Sequence, residues 1–217
     1  TYATGVLKNG WSVAACISGR FGSALSYVDG VTYNGYSYFL SVEKKFNTAH
    51  ALNLTAWGAP TVRGMQANSV EEAYEITGSH YYNPNWGWYD GKKRNARMRT
   101  VHEPVIMLTH YYTPSSKLNM TTTLATSFGR NSSTSLNWYD AQAPRPDYYR
   151  YLPSYQIQNG DTSSTYYDVL NAWQTDANVR QINWNRMYEV NQLAAHQGKR
   201  AQYMLENRVF DHFLIGG

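Results

Sequence analysis

The chain has 217 residues, with 19 Lys+Arg against 15 Asp+Glu and a formal net charge of +4. So mild an excess of positive charge is no nucleic-acid footprint. With a mean hydropathy of −0.57, no stretch reaches the roughly 18 apolar residues of a membrane-crossing helix. A β-barrel stays open, because a barrel strand shows the bilayer only every second residue. The single cysteine, Cys16, excludes an intramolecular disulfide framework and a Cys-rich metal site. It reads as a small packing residue in a strand.

In chain order, residues 1–6 read as the end of a strand, and the Asn9-Gly10 pair marks a hairpin turn. Residues 11–20 alternate, with Trp11, Val13, Ala15 and Ile17 on one face. A loop over 21–32 follows. The strand at 33–46 returns with Tyr36, Tyr38, Leu40 and Val42 aligned, and the one at 51–60 carries Leu52, Leu54 and Ala56. Residues 61–102 read as a long loop. Within it, Ser69-Val70-Glu71-Glu72 has the form of a capping box ahead of a short helix. Strands are predicted at 103–113 and 117–129, then a second long loop over 130–199 with helices near 165–178 and 183–195. Val169, Leu170 and Trp173 are spaced for one buried stripe, and Met187, Tyr188 and Asn191 for a shared face. The final strand is expected at 200–213. Strand direction places the turns near Asn9, Thr48 and Ser115 at one end and the long loops at the other. Short turns on one side and long loops on the other follow the rule for outer-membrane barrels. The fold class expected is mainly β: an antiparallel up-and-down sheet forming part of a large transmembrane barrel, with long, partly helical extracellular loops. A soluble sandwich has the same period-two pattern.

Several stretches then carry a resemblance: YSYFLSVEKKF (36–46), LNLTAWGAP (52–60), YYNPNWGWYDGKKRNAR (81–97), HEPVIMLTHYY (102–112), QINWNRMYEVN (181–191) and YMLENR (203–208). In these the chain resembles the barrel domain of TonB-dependent outer-membrane receptors, in particular those with an N-terminal carboxypeptidase-regulatory-like domain. The resemblance implies residence in the bacterial outer membrane and uptake of a scarce nutrient (glycan, peptide or metal chelate), energised from the inner membrane. The partners it implies are outer-membrane lipid, an extracellular ligand, a surface lipoprotein, and the TonB complex through a plug region. No plug, no energy-coupling box and too few strands for a closed barrel are visible, so the chain reads as a piece of a longer protein, not transport-competent alone. The alternative is a secreted all-β carbohydrate-binding domain with aromatic loop sites.

The 20 Tyr and 7 Trp suit both membrane interfaces and ligand platforms. The densest loop group is Tyr81, Tyr82, Trp86, Trp88, Tyr89 and Asp90, and a second is Trp138, Tyr139, Arg145, Tyr148 and Tyr149. Aromatic faces beside amides and carboxylates suit sugar rings, and the same rings also serve to pack loops. Lys92, Lys93, Arg94 and Arg97, with Arg99 beyond them, form the one basic cluster. It suits an anion or lipopolysaccharide phosphates, or else a solvated loop. No catalytic group and no cofactor is expected. Glu71, Glu72, Asp90, Glu103 and Asp140 are scattered, and His80, His102 and His110 lack metal-ligand spacing. Enzyme activity and nucleic-acid binding are therefore not expected.

Overall fold

The computed structural model describes residues 1–22, 26–160 and 164–217. Residues 23–25 of the expected 21–32 loop and 161–163 of the 130–199 loop lie outside the described residues. The protein is mainly β, built on a nine-stranded antiparallel sheet. Its strands are β1 (Tyr2–Ala3), β2 (Trp11–Gly22), β3 (Thr32–Lys45), β4 (His50–Gly58), β5 (Thr61–Gly64), β8 (Met98–His102), β9 (Val105–Ser115), β10 (Leu118–Trp138) and β11 (Tyr203–Gly216). A separate hairpin pairs β6 (Trp86–Tyr89) with β7 (Lys92–Asn95).

The nine strands lie on fewer lines. β4 and β5 both pair with β3 in one unbroken register, from Lys45↔Ala51 to Thr32↔Gly64. β8 and β9 likewise face β10 in a single register across Glu103-Pro104. A proline cannot donate to a ladder, so Pro60 and Pro104 interrupt each line where pairing would otherwise run on. The sheet therefore climbs well into the two stretches read as loops. Strand structure covers 61–64, 98–102 and 130–138, and β11 is set at 203–216 rather than 200–213. Every line sits beside its sequence neighbours, in an up-and-down meander from β1 to β11. Among the described residues β1 and β11 do not pair with each other.

Because partners share a face, the single register sorts the side chains. One face stacks the row Val13–Val42–Leu54–Leu108–Leu124 and the row Ala15–Leu40–Ala56–Ile106. Much of this face is not covered by the rest of the chain: Leu54 is 49% exposed, Leu124 56% and, further along the same face, Ile17 79%. The other face is mixed: Phe39, Trp57, Val105 and Met107 share it with hydroxyls and amides that bond one another. Ser18 bonds Ser37 at 2.6 Å, Asn53 donates to Ser41 at 2.9 Å, and Thr109 meets Thr123 at 3.2 Å.

The buried apolar cores lie in the loops instead. In one, Ala73 of α1 (Glu71–Thr77), Leu152 and Trp173 of α3 (Ser164–Thr175) pack together. α2 (Pro153–Gln158) is tied in by Glu72, whose carboxylate accepts from the Ser154 N–H at 2.8 Å and hydroxyl at 2.6 Å. The expected capping box is thus not made: Ser69 donates to Asp147 and Val70 takes the cap position without a side-chain bond. In the second core, Trp184 and Met187 of α4 (Trp184–His196) pack on Ala96, Ile182 and Tyr203. Gly87 permits that docking, because a Cβ there would lie 1.9 Å from the Ile182 carbonyl oxygen. Trp173→Ala is expected to cost about 3–5 kcal/mol in the loop unit, and Gly87→Ala to expose the chain around Ile182. Limited proteolysis of both variants checks this, with cleavage confined to the loops and the sheet left intact.

Candidate functional site

The first aromatic group is held by two asparagines. Asn83, 1% exposed, donates to the Asp29 carbonyl at 2.9 Å and accepts from the Asn85 N–H at 3.2 Å. Asn95 donates to the carbonyls of Gly30 (2.8 Å) and Met65 (2.9 Å) and accepts from the Arg97 N–H at 2.7 Å. These bonds clamp the β6–β7 hairpin onto the β2–β3 and β5–α1 connections. Asp90, at φ 49°, and Gly91, at φ 70°, occupy the hairpin turn, and two successive positive φ values mark an Asp-Gly turn of the I′ kind. The backbone thus explains Asp90, whose side chain is exposed away from the cavity described next.

Tyr81, Tyr82 and Trp86 converge on one open cavity of about 220 Å³. Tyr27, Asp29 and Arg180 also line it. The ring of Tyr81 is 61% exposed and tilts against Tyr27 at 6.4 Å. Trp86 is buried to 6% and lies edge-on to Trp88. Tyr82 is fixed by structure: its hydroxyl donates to the Arg180 carbonyl at 3.1 Å and its ring meets Trp173 edge-on. Burial, reinforced by the nearby Asp147 carboxylate, pushes the Tyr82 phenol far above its ordinary range. The cavity thus joins exposed rings to Arg180, which forms no ion pair among the described residues.

Trp88 and Tyr89 do not join that group. Trp88 stays half exposed on the hairpin, and Tyr89 packs toward α4 against Tyr188 at 5.2 Å. The second expected group forms a separate open cavity of about 330 Å³ lined by Trp138, Arg145, Tyr148 and Tyr149, with Asn68 and Asp147. Arg145 grips Asp147 through two bonds of 2.8 and 2.6 Å, and that carboxylate raises the guanidinium further above its usual range. Tyr148 and Tyr149 stack edge-on at 4.7 Å. Tyr139 faces away from the cavity, beneath Arg200 at 4.0 Å.

The basic cluster divides. Arg94 lies 4.1 Å over Trp184 and donates to the Tyr188 hydroxyl at 2.8 Å. Lys93 pairs with Asp29 and sits over both Trp86 and Trp88. Both cations are engaged in packing the hairpin. Lys92 and Arg97 are exposed and form no ion pair among the described residues.

Sequence reasoning missed Tyr27, Asp29 and Arg180. Each is distant in sequence from the aromatic run, and only the asparagine clamp brings the β2–β3 connection beneath it. It also missed a row on the polar sheet face, where Ser127 Oγ lies 3.2 Å from His212 Nε2 and Glu103 lies 3.8 Å from His212 Nδ1. The order resembles a nucleophile, base and orienting acid. However, Ser127 is paired in the ladder on both sides, and the next N–H, of Phe128, is bonded to the Pro104 carbonyl at 3.3 Å. The backbone of Ser127 and the Phe128 N–H, where an oxyanion hole beside this serine would be sought, are thus committed within the sheet. Among the described residues, no group of three or more His, Cys, Asp or Glu is placed to hold a metal ion.

The Tyr82 environment has a pH consequence. Its phenol stays protonated in the folded protein while the unfolded chain ionises near pH 10. The folded form then binds more protons, so its stability is complete below that pH and falls as pH rises further. Tyr82→Phe is expected to lose about 1 kcal/mol at neutral pH with its hydrogen bond and to flatten the alkaline decline. Thermal midpoints of wild type and variant between pH 8 and about 12 check this.

Comparison with known proteins finds no matching family model, curated protein or solved structure.

Proposed function

We propose that the chain is part of the wall and outer cap of an outer-membrane β-barrel, in a TonB-dependent receptor for a scarce nutrient. The observation that carries this reading is the sheet whose apolar face is uncovered and whose opposite, mixed face carries a ladder of hydrogen-bonded hydroxyls and amides. A water-soluble sheet turns its apolar face inward. Here the arrangement is reversed, as in a wall between lipid and an aqueous interior. The ends of the apolar face carry interfacial side chains. At the short-turn end Lys44 lies over Trp11 at 5.0 Å, and His50 stacks on His110 and Tyr112. At the loop end Tyr38 bonds His102 at 3.0 Å. From Tyr112 to His102 is about ten residues, or about 33 Å along a strand. Tilted by about 40°, that spans about 25 Å, the height of a barrel's apolar band.

In this reading the aromatic cavities face outside, where a glycan, peptide or metal chelate arrives. Tyr27 and Tyr81 supply exposed ring faces, and Arg180 lines the same cavity. The residues act by binding rather than by bond-breaking. The surrounding partners are outer-membrane lipid, a surface lipoprotein, and an inner-membrane TonB complex engaged through a plug. A secreted carbohydrate-binding domain would share the aromatic cavities but would leave Leu54, Leu108 and Leu124 in water.

Adjacent residues on opposite faces test the bilayer assignment. In lipid vesicles, Leu108→Arg is expected to destabilise the folded chain by about 2–4 kcal/mol, the cost of a cation on a lipid-facing site. Met107→Arg, at the same depth on the opposite face, should cost clearly less. Denaturant unfolding in vesicles measures both. A chain that is monomeric and soluble without detergent, and indifferent to Leu108→Arg, would remove the bilayer assignment.

A further inference from the structure

The polar sheet face carries a row of like charges near the loops. Arg63 of β5 stands directly opposite Arg99 of β8. Arg99 is opposite Ser133 of β10, and Ser133 is opposite Arg208 of β11. On the other side Arg63 faces Tyr33, over whose ring the Arg20 guanidinium sits at 5.3 Å. One register thus places three arginines in a single row, with a fourth beside it. Cross-strand neighbours on one face have Cβ atoms about 5 Å apart, and like charges so placed destabilise a sheet.

Nothing in the described chain offsets that repulsion. None of Arg20, Arg63, Arg99 and Arg208 forms an ion pair among the described residues. Arg99 donates only to the neutral Asn131 amide, at 3.3 Å. Glu206, one row nearer the loops, is bonded to Asn137 at 2.7 Å and pairs with none of them. This contrasts with Arg130 on the opposite face, which is neutralised by Asp211 through bonds of 2.8 and 3.0 Å.

We propose that the row Arg63–Arg99–Arg208 is a binding site for a multivalent oxyanion, and that it selects anionic solutes on the polar side of the wall. Guanidinium forks match the oxygens of carboxylate and phosphate, and rings of Arg or Lys set anion preference in pores. An oxyanion bridging the row replaces repulsion by charge-assisted hydrogen bonds. The site is distinct from the exposed Lys92 and Arg97 of the outer hairpin. Its role in solute selection rests on the barrel-wall reading, whereas anion binding does not.

The test uses the full chain in whatever medium keeps it folded, with inorganic phosphate and citrate titrated separately against chloride at equal ionic strength. Each binding curve is read from the shift in thermal midpoint. Saturable stabilisation is expected from at least one anion. Which of the two is preferred distinguishes a phosphate-bearing from a carboxylate-bearing solute. The double variant Arg63→Gln/Arg99→Gln should bind at least about tenfold more weakly. Without anion it should be no less stable than wild type, since the repulsion is relieved. Lys117→Gln, at the opposite end of the sheet, should bind as wild type. Should the double variant not fold, Arg208→Gln provides the same readout. Phosphate and citrate acting no differently from chloride would overturn the site, as would an unchanged affinity in the folded Arg variants. Saturable binding by a chain that fails to enter vesicles would keep the site and reject only the wall.

Discussion

The continuous register of the sheet is the constraint on which the rest depends. From β2 to β10 each antiparallel pairing holds its offset, through the interruptions at Pro60 and Pro104, with one irregularity between Leu118 and Met120. A slip of one residue in any line would move its whole apolar set to the other face. Because the offset holds, Val13, Leu40, Leu54, Ile106 and Leu124 share one surface while Ser41, Asn53, Thr109 and Thr123 share the other. The hydroxyl ladder across the second surface reinforces the same offset, since its partners meet only in that register. The arginine row follows from it too, as a charge arrangement that the sheet tolerates but does not itself neutralise.

The loops follow a different logic. They are long enough to hold apolar cores of their own, centred on Trp173 and on Trp184 with Met187. Their polar anchors serve backbone groups: the buried amides of Asn83 and Asn95, and the half-buried carboxylate of Glu72 in α1, which holds the start of α2. An unmade bond at such a site costs about 1–3 kcal/mol, so these contacts fix the loop geometry more strictly than exposed ion pairs do. Several residues with the chemistry of binding are absorbed into this framework. Arg94 is enclosed by Trp184 and Tyr188, and Arg145 is held by Asp147. The groups left to meet a ligand are those that the framework leaves exposed, with Tyr27 and Tyr81 foremost.

Alternation and turn chemistry determined much by themselves. Strand existence, the shared face of Trp11, Val13, Ala15 and Ile17, and the Asn9-Gly10 turn are local properties, set by the period of a strand and by the positive φ that glycine allows. The helix stripes were local in part: Trp173 is buried with Val169 against it, whereas Leu170 is half-buried outside that cluster, and Met187, Tyr188 and Asn191 line one small cavity. Tertiary structure decided the remainder. Residues 61–64 and 98–102 look like loop because they are short and cut off by prolines, yet they complete lines begun elsewhere. Ser69 and Glu72 have the spacing of a capping box, but Asp147 and Ser154 compete for them from across the fold. The cavity around Tyr81 and the row Arg63–Arg99–Arg208 join residues from separate connections and strands. Spacing along the chain does not encode such proximity, because it arises only when pairing sets which side chains stand opposite each other.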